Sequence, residues 1–287
     1  MEECSYPVPC FMAPHPDENC YSVLCRSMVR AAYSSFRFTC ELFGRQRNLT
    51  RLLYQPFRVE DLSRWFNDAA NRQKDYLDLH SVFQYCYPSL EEHEQKLIIN
   101  WRNNLRLSSE ELKRLTKTVA FKDGQKRKLC YCRDCVQNDR ETYGETYWHL
   151  SHQLPAVTLC SLHETPLICS EIEICKTRYV FYPAEYVLRK SERNENLESI
   201  STYDSLVASD SMWMLNHGFE VDGEKYSKLK SSVGDEELAK ISNEVQCYKN
   251  ELSVPKSSTL ELILFCRILS LSPQSLTQTS QNPIIDK

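Results

Sequence analysis

Glycine is scarce in this chain: only six of its 287 residues are glycine. Phosphate-binding loops and dinucleotide-binding turns require glycine at fixed spacings, and neither G-x-x-x-x-G-K-[ST] nor G-x-G-x-x-G occurs in the sequence. The sequence therefore excludes nucleotide binding by these loops. The scarcity of glycine also argues against a large β-sandwich.

Long apolar runs are absent as well. No stretch approaches the roughly 18 apolar residues of a membrane-spanning helix. The start of the chain, Met1–Pro7, has neither the basic region nor the apolar core of a secretory signal. We therefore expect a cytoplasmic protein without a membrane partner, whose 14 cysteines are thiols or metal ligands rather than disulfides.

The amino-terminal part is predicted to be helical. Apolar residues between Tyr21 and Ala32 recur at the spacing of one helix face, with Asp17 as a candidate N-cap. Ser34–Ser35 could begin a second short helix that ends at Gly44, and two such helices with a tight connection suit a helix-turn-helix. Further helices are expected over 59–79, 89–104, 108–119 and 258–269.

Two short motifs, Cys132-x2-Cys135 and Cys160-x2-His163, have the spacing of zinc knuckles. Each knuckle directs two ligands to one point, and four protein ligands leave no position for water, so we expect one structural Zn²⁺. The alternative is that these residues are ordinary buried thiols. Cys130 lies two residues before the first knuckle, and we treat it as a near neighbour of the metal rather than a ligand.

Charge is distributed unevenly along the chain. Two segments, 26–64 and 102–128, carry net charges of +5 and +6, whereas 190–251 carries −6. Basic segments of this kind suit contact with nucleic acid, although they are also typical of solvated helix faces. The basic residues that we expect to contact DNA phosphates are Arg45, Arg47, Arg51, Lys126, Arg127 and Lys128.

The chain is predicted to have an α+β fold that is predominantly helical. A helix-turn-helix-like domain over 1–121 is followed by a zinc-ribbon or knuckle module over 122–188 and a linker with a C-terminal helical segment over 189–287. Within the zinc module, 165–169 and 178–182 are expected to be short strands, and 122–128 a basic linker. Residues 190–211 are polar enough to be a linker, and the tail from Ser272 is expected to be frayed.

The residues around the knuckles resemble a known family. Tyr131–Val136 and Tyr143–His163 resemble the zinc-finger region of the TniQ/TnsD family, whose members select target sites for transposons that carry an AAA+ ATPase regulator. Ala13–Arg26 and Leu42–Gly44 are similar to the amino-terminal opening of that family and the motif after it. His80–Pro88 is similar to a segment of the TnsD branch, with glutamine in place of the usual proline. The resemblance covers roughly residues 9–185.

The chain departs from the family pattern in three ways. Arg133 stands where the first knuckle often has proline, and the second zinc site of some members has no clear counterpart. Longer TnsD proteins continue into a region thought to read a specific DNA site, and this chain ends near the start of that region. We therefore expect DNA binding that is weak and largely indifferent to sequence.

The resemblance implies a non-catalytic adaptor in the bacterial cytoplasm, associated with the nucleoid when it is bound to DNA. Such an adaptor binds target DNA or an RNA-guided targeting complex and recruits a TnsC-like AAA+ ATPase. Prolines keep the first residues extended, so Tyr6, Phe11 and Met12 are candidate anchors for that ATPase, unless this arm packs across its own domain.

Two other functions are open at this stage. A metal-dependent enzyme would need an open position on the metal, which a site with four protein ligands lacks. A stand-alone zinc-containing helix-turn-helix regulator would bind DNA without any need for the ATPase, and that independence would distinguish it from the adaptor.

Overall fold

The computed structural model of this protein describes residues 11–43, 49–57, 62–63, 66–104, 110–111, 114–115, 126–154, 156–174, 176, 180–189, 203–251 and 258–277. These residues are mostly helical. The α-helices are α1 (Cys20–Arg30), α2 (Ser35–Phe43), α3 (Ala69–Leu79), α4 (Phe83–Cys86), α5 (Glu92–Asn104), α6 (Arg133–Tyr143), α7 (Ala184–Leu188), α8 (Asp204–His217), α9 (Gly223–Ser232), α10 (Asp235–Glu251) and α11 (Ser258–Ile268). The strands are β1 (Lys128–Tyr131) and β2 (Ile168–Glu173). No helix among the described residues is both long enough and apolar enough to cross a membrane.

Helix α1 is buried around nearly its whole circumference rather than along one face, with every side chain from Cys20 to Met28 buried. Its N-cap is Asn19, whose side-chain oxygen accepts a hydrogen bond from the Ser22 backbone N–H at 2.8 Å. The prediction that Asp17 caps this helix is therefore wrong. The Asp17 backbone has a left-handed φ of 57°, and its carboxylate accepts a hydrogen bond from the backbone N–H of Ser151, 134 residues along the chain.

Helix α8 corrects the expectation of a linker for residues 204–211, which are helical, whereas residues 190–202 lie outside the described part of the chain. Val207, Ala208, Met214 and Leu215 are buried against the core, and the two aspartates of the helix are buried with partners. Tyr248 donates a hydrogen bond to Asp204 at 2.6 Å, and Arg267 forms a salt bridge with Asp210. A polar sequence therefore forms a packed helix over the described residues of this segment.

The end of α8 packs directly on α4. Gly218 follows the last residue of α8, and a Cβ atom built at this glycine would lie 1.8 Å from the carbonyl oxygen of Gln84. Helix α11 was predicted from its apolar spacing and is confirmed, and it contacts both α8 and α10. The elements after residue 203 therefore belong to the same core as α4.

The tail beyond Ser272 is ordered as far as it is described. A 3-10 turn spans Pro273–Leu276, and Leu276 is buried, so the expectation of a frayed tail is wrong for these residues. Residues 278–287 lie outside the described part of the chain.

Strands β1 and β2 form an antiparallel ribbon that brackets the predicted knuckles. Cys130 lies opposite Cys169, and Tyr131 opposite Ile168. Lys128, which was expected to end a linker, begins β1. The expected strand over 178–182 is not formed by its described residues 180–182, because the Tyr21 hydroxyl donates to the carbonyl of Val180 and accepts from the N–H of Tyr182 in place of a strand partner.

Candidate metal centre and the buried seam beside it

The four candidate ligands are presented by two tight turns. Cys132 is the N-cap of α6 and Cys135 lies in its first turn, so one helix start positions both sulfur atoms. Cys160 and His163 lie in a hairpin closed by a 2.9 Å hydrogen bond from the Cys160 N–H to the Thr165 carbonyl. Glu164 turns this hairpin with a left-handed φ of 53°.

The ligand atoms of Cys132, Cys135, Cys160 and His163 all lie within 4.8 Å of one another. His163 Nδ1 is 3.6, 3.3 and 3.5 Å from the sulfur atoms of Cys132, Cys135 and Cys160, and the last two sulfur atoms are 3.6 Å apart. A tetrahedral ion with metal–sulfur bonds of about 2.3 Å needs edges of roughly 3.5–3.8 Å. The donor set and its spacing therefore fit a metal ion with four protein ligands, and the three cysteines are buried.

Other side chains surround the ligands. The side-chain amide of Asn138 lies 2.9 Å from His163 Nε2, which carries the proton when Nδ1 binds a metal. If the Asn138 amide is flipped by 180°, its oxygen accepts a hydrogen bond from the His163 Nε2–H group. The hydroxyl of Thr165 is 3.2 Å from the Cys132 sulfur. Hydrogen bonds from Cys135 and Cys160 lower the pKa of Cys132, so negative charge is already favoured at one ligand.

A buried contact, which we call the N-terminal seam, joins residues 15–22 to residues 145–151. Glu18 and His149 form an isolated antiparallel bridge, and the backbone N–H groups of Asn19 and Leu150 donate to the carbonyls of Trp148 and Asp17. The seam attaches the amino-terminal segment to the stretch between the two knuckles. It therefore places α1 and the candidate metal centre in fixed relation to each other.

His149 lies at the middle of the seam between two carboxylates. Its Nε2 is 3.0 Å from Asp139 and its Nδ1 is 3.4 Å from Asp17. Burial by itself would lower the pKa of His149, but hydrogen bonds to these two carboxylates outweigh it and raise the pKa to about 9. His149 is therefore an imidazolium at neutral pH, and its hydrogen bonds make it a part of the seam rather than a metal ligand.

A second buried charge cluster, of three residues, lies at the amino-terminal side of the seam. Arg26 contacts Glu18 at 2.7 Å and Glu145 at 3.1 Å, and it also donates to the carbonyl of Ala13. Complete burial raises the pKa of Glu18 to about 7, although Arg26 opposes the shift. Burial and the charge of Arg26 lower the pKa of His15 to about 4.

Tyr147 and Trp148, between the knuckles, are buried in the core. Trp148 is fully buried and donates from Nε1 to the carbonyl of Tyr182 at 2.7 Å. The Tyr147 hydroxyl donates to the carbonyl of Pro16 at 3.0 Å. Tyr143 is partly exposed, and its ring stacks on His15 with centroids 4.0 Å apart. These rings are therefore used for packing within the protein.

Comparison with known proteins gives the family of this chain. A family model described as TniQ matches residues 9–167, which is more than half of the chain. The chain belongs to the TniQ family. A search among curated proteins found no match. The TniQ segment contains α1 to α6, all four candidate ligands and both sides of the N-terminal seam.

The basic residues predicted to contact DNA are in different environments. Arg51 is exposed in the 3-10 turn Leu49–Leu53, and Arg127 is exposed just before β1. Lys128 is half-buried, and the ammonium group of Lys126 donates to the carbonyls of His152 and Val157 at 2.8 and 2.6 Å. Arg45 and Arg47 lie outside the described residues.

The predicted partner-binding residues begin at the edge of the described chain. Phe11 is half-buried, with its ring edge-to-face against Phe57 and Phe66. The N–H of Met12 donates to the Ser27 hydroxyl at 2.9 Å. Tyr6 lies outside the described residues. The arm therefore packs on its own domain from Phe11 onward.

The charged residues of the seam were not found from the sequence. Glu18, and Arg26 and Asp139 beside the seam, have the polar identity of surface residues. Arg26 and Asp139 each have a partner within about ten residues, but the contact of Arg26 with Glu145 spans 119 residues. The stretch between the knuckles is dense with histidines and aromatics, but that density does not identify the acidic partners.

Proposed function

We propose that this TniQ protein is a non-catalytic adaptor of the TnsD branch that selects target sites for transposition. It holds one structural Zn²⁺ at Cys132, Cys135, Cys160 and His163. One part of its surface binds target DNA or an RNA-guided targeting complex, and another part recruits a TnsC-like AAA+ ATPase. It acts in the bacterial cytoplasm, at the nucleoid when it is bound to DNA.

The observation that carries this proposal is the N-terminal seam. An adaptor must hold two binding surfaces in a fixed relation, and the seam fastens the amino-terminal segment to the metal module through buried hydrogen bonds and ion pairs. The family match spans both sides of this contact. A metal with four protein ligands suits such a role because it stabilises a small module and leaves no position for a reacting water.

The nucleic-acid part of the proposal rests on two exposed basic residues, Arg127 beside the ribbon and Arg51 in the 3-10 turn. If Arg51 and Arg127 contact phosphates, the logarithm of the DNA affinity should fall linearly with the logarithm of salt concentration. Changing both residues to glutamine should reduce the magnitude of that slope by about two. Lys240→Gln is the matched control, because Lys240 is exposed on α10 in the acidic part of the chain.

Salt titrations of DNA binding by fluorescence anisotropy measure these slopes. An unchanged slope in the double variant would assign Arg51 and Arg127 to an ordinary solvated surface. We expect Lys126→Gln to act differently and lower stability, because the Lys126 ammonium group donates to two backbone carbonyls.

The ATPase part of the proposal concerns the amino-terminal arm. Deletion of residues 1–10 keeps Phe11 and its contacts with Phe57 and Phe66, so the deletion should leave the fold intact. We expect the shortened protein to keep its zinc and to lose capture of the AAA+ ATPase in a pull-down. Tyr6→Ala in the full chain should weaken the same capture, because aromatic side chains usually dominate such interfaces. Undiminished capture by both variants would place the ATPase interface elsewhere.

The stand-alone regulator remains the competing function, and the same proteins separate the two. An adaptor brings the ATPase to DNA, so the purified chain should increase retention of the ATPase on DNA-coated beads. A regulator would bind its DNA tightly by itself and would have no effect on that retention.

A further inference from the structure

Two cysteines that do not belong to the candidate metal centre face each other across the ribbon. Cys130 in β1 and Cys169 in β2 are register partners, and their sulfur atoms lie 3.4 Å apart. Both are thiols in this structure. The two sulfur atoms are therefore in van der Waals contact, although the two residues are 39 positions apart in the sequence.

The backbone around Cys130 shows which kind of strand pair this is. Its N–H donates to Oε1 of Gln153 at 3.0 Å, and its carbonyl accepts from Nε2 of Gln153 at 2.9 Å. Both backbone groups therefore point away from β2, which makes Cys130 and Cys169 a non-hydrogen-bonded pair. Side chains are closest at such pairs, whose Cα separation of about 4.5 Å lies within the range that a disulfide spans.

The two thiols differ in access to solvent. Cys169 is exposed, whereas Cys130 is 3% exposed. A reagent in solution therefore reaches Cys169 first, and Cys130 is positioned to react with whatever forms there.

We propose that Cys130 and Cys169 form a reversible dithiol–disulfide site that reacts with low-molecular-weight disulfides such as oxidised glutathione. The Cys169 sulfur, after loss of its proton, attacks one sulfur of the oxidant, and the first thiolate leaves and takes up a proton. The Cys130 sulfur then attacks Cys169, its proton passes to the second thiolate, and that thiol leaves. Two cysteine thiols are oxidised to one disulfide, and one small disulfide is reduced to two thiols.

The position of this site gives the disulfide a consequence for the metal module. The loop from Cys130 to Cys169 contains all four candidate ligands, so a disulfide would fasten the two ends of the segment that holds the metal. Cross-linking such a loop restricts the unfolded chain. The oxidised protein should therefore keep the knuckles together when a chelator competes for the metal.

The test uses the zinc-loaded full chain, treated with oxidised glutathione and then mapped by alkylation and mass spectrometry. We expect a Cys130–Cys169 cross-link in the unaltered protein and in Cys247→Ser, which removes an exposed cysteine on α10. Cys169→Ser should leave Cys130 as a thiol, and Cys169→Ala is the alternative variant if the serine protein folds poorly.

Two results would overturn the proposal. One is a glutathione adduct that persists on Cys169 without any cross-link to Cys130. The other is a first cross-link that involves Cys132, Cys135 or Cys160. Release of zinc to a chelator should be several-fold slower after oxidation and should return to its original rate after treatment with dithiothreitol. An equal rate in the two forms would refute the stabilising role. The cross-link measurement depends on neither DNA nor the ATPase, so its failure is separate from failure of the adaptor role, whereas the zinc-release measurement also requires the metal that the proposed function includes.

Discussion

Replacing Asp139 with asparagine should weaken the N-terminal seam by removing one of the two carboxylates that face His149. The Asp139 carboxylate accepts hydrogen bonds from His149 Nε2 at 3.0 Å and from the Thr146 hydroxyl at 2.8 Å. Asparagine has nearly the same shape and keeps an oxygen for Thr146, but it has no charge to stabilise the imidazolium.

The size of the effect follows from the pKa of His149. A pKa of about 9 in the folded protein, against an ordinary value of 6.5, corresponds to about 3 kcal/mol at 1.36 kcal/mol for each pH unit. Asp17 supplies part of this stabilisation and remains in the variant. We therefore expect Asp139→Asn to lower the free energy of unfolding by about 2 kcal/mol near pH 6.

The loss should depend on pH in a defined direction. Because the folded-state pKa of His149 is raised, its stabilising contribution is complete below about pH 6.5 and disappears as the pH rises through about 9. The difference between the two proteins should therefore shrink between pH 6.5 and 10. Glu18 also titrates near pH 7 in the folded state, but it does so in both proteins and largely cancels from the difference.

Chemical denaturation of both proteins at several pH values, with zinc in excess, measures this difference. The titration of the His149 ring protons by NMR gives the pKa directly. Asp75→Asn is the control, because Asp75 is an exposed aspartate on α3 and its replacement should have little effect at any pH. A penalty for Asp139→Asn that is the same at pH 6 and pH 10 would refute the view that His149 is charged in the seam.

Two further changes test the metal centre and the packing of α8 on α4. Cys132→Ser should lose zinc in elemental analysis and unfold the module, whereas Cys247→Ser should keep both; folded, zinc-free Cys132→Ser would contradict a structural metal. Gly218→Ala should lower the free energy of unfolding by about 2 kcal/mol or more, because the new Cβ would lie 1.8 Å from the Gln84 carbonyl oxygen. Gly234→Ala is its control, since a Cβ there meets no described atom within 4 Å, and equal losses in the two variants would show that Gly218 is not required for close packing.

Those parts of the fold that depend on local patterns could be predicted from the sequence. The apolar spacing of α1 and α11 identified both helices, although it did not show that α1 is buried on nearly all sides. The two short ligand spacings identified the four residues of the candidate metal centre, which the structure brings together. A spacing of two residues between ligands indicates a tight turn, and two such turns with zinc-type ligands indicate one shared metal site.

The parts that depend on distant charged partners could not be predicted. Arg26 and Glu145 are 119 residues apart. Each is a charged residue that a sequence pattern places on the surface, because nothing in the sequence shows that the other lies beside it. The same holds for α8, in which Asp204 and Asp210 are buried because Tyr248 and Arg267 satisfy them. Hydrophobic patterning treats a buried, paired charge as an exposed residue, so it described this segment as a linker.

The helices after the family match contribute to the same structure as the TniQ segment. Asp204 at the start of α8 accepts hydrogen bonds from Thr158, just before the second knuckle, and from Tyr248 in α10. The metal module is thus connected to the C-terminal helices by Asp204, as it is connected to α1 by the N-terminal seam. Both connections are made by residues between or beside the knuckles. Loss of the metal should therefore destabilise the contacts with α1 and the contacts with the C-terminal helices. A fixed relation between two binding surfaces, which the proposed adaptor requires, therefore depends on the metal centre even if no metal ligand contacts DNA or the ATPase.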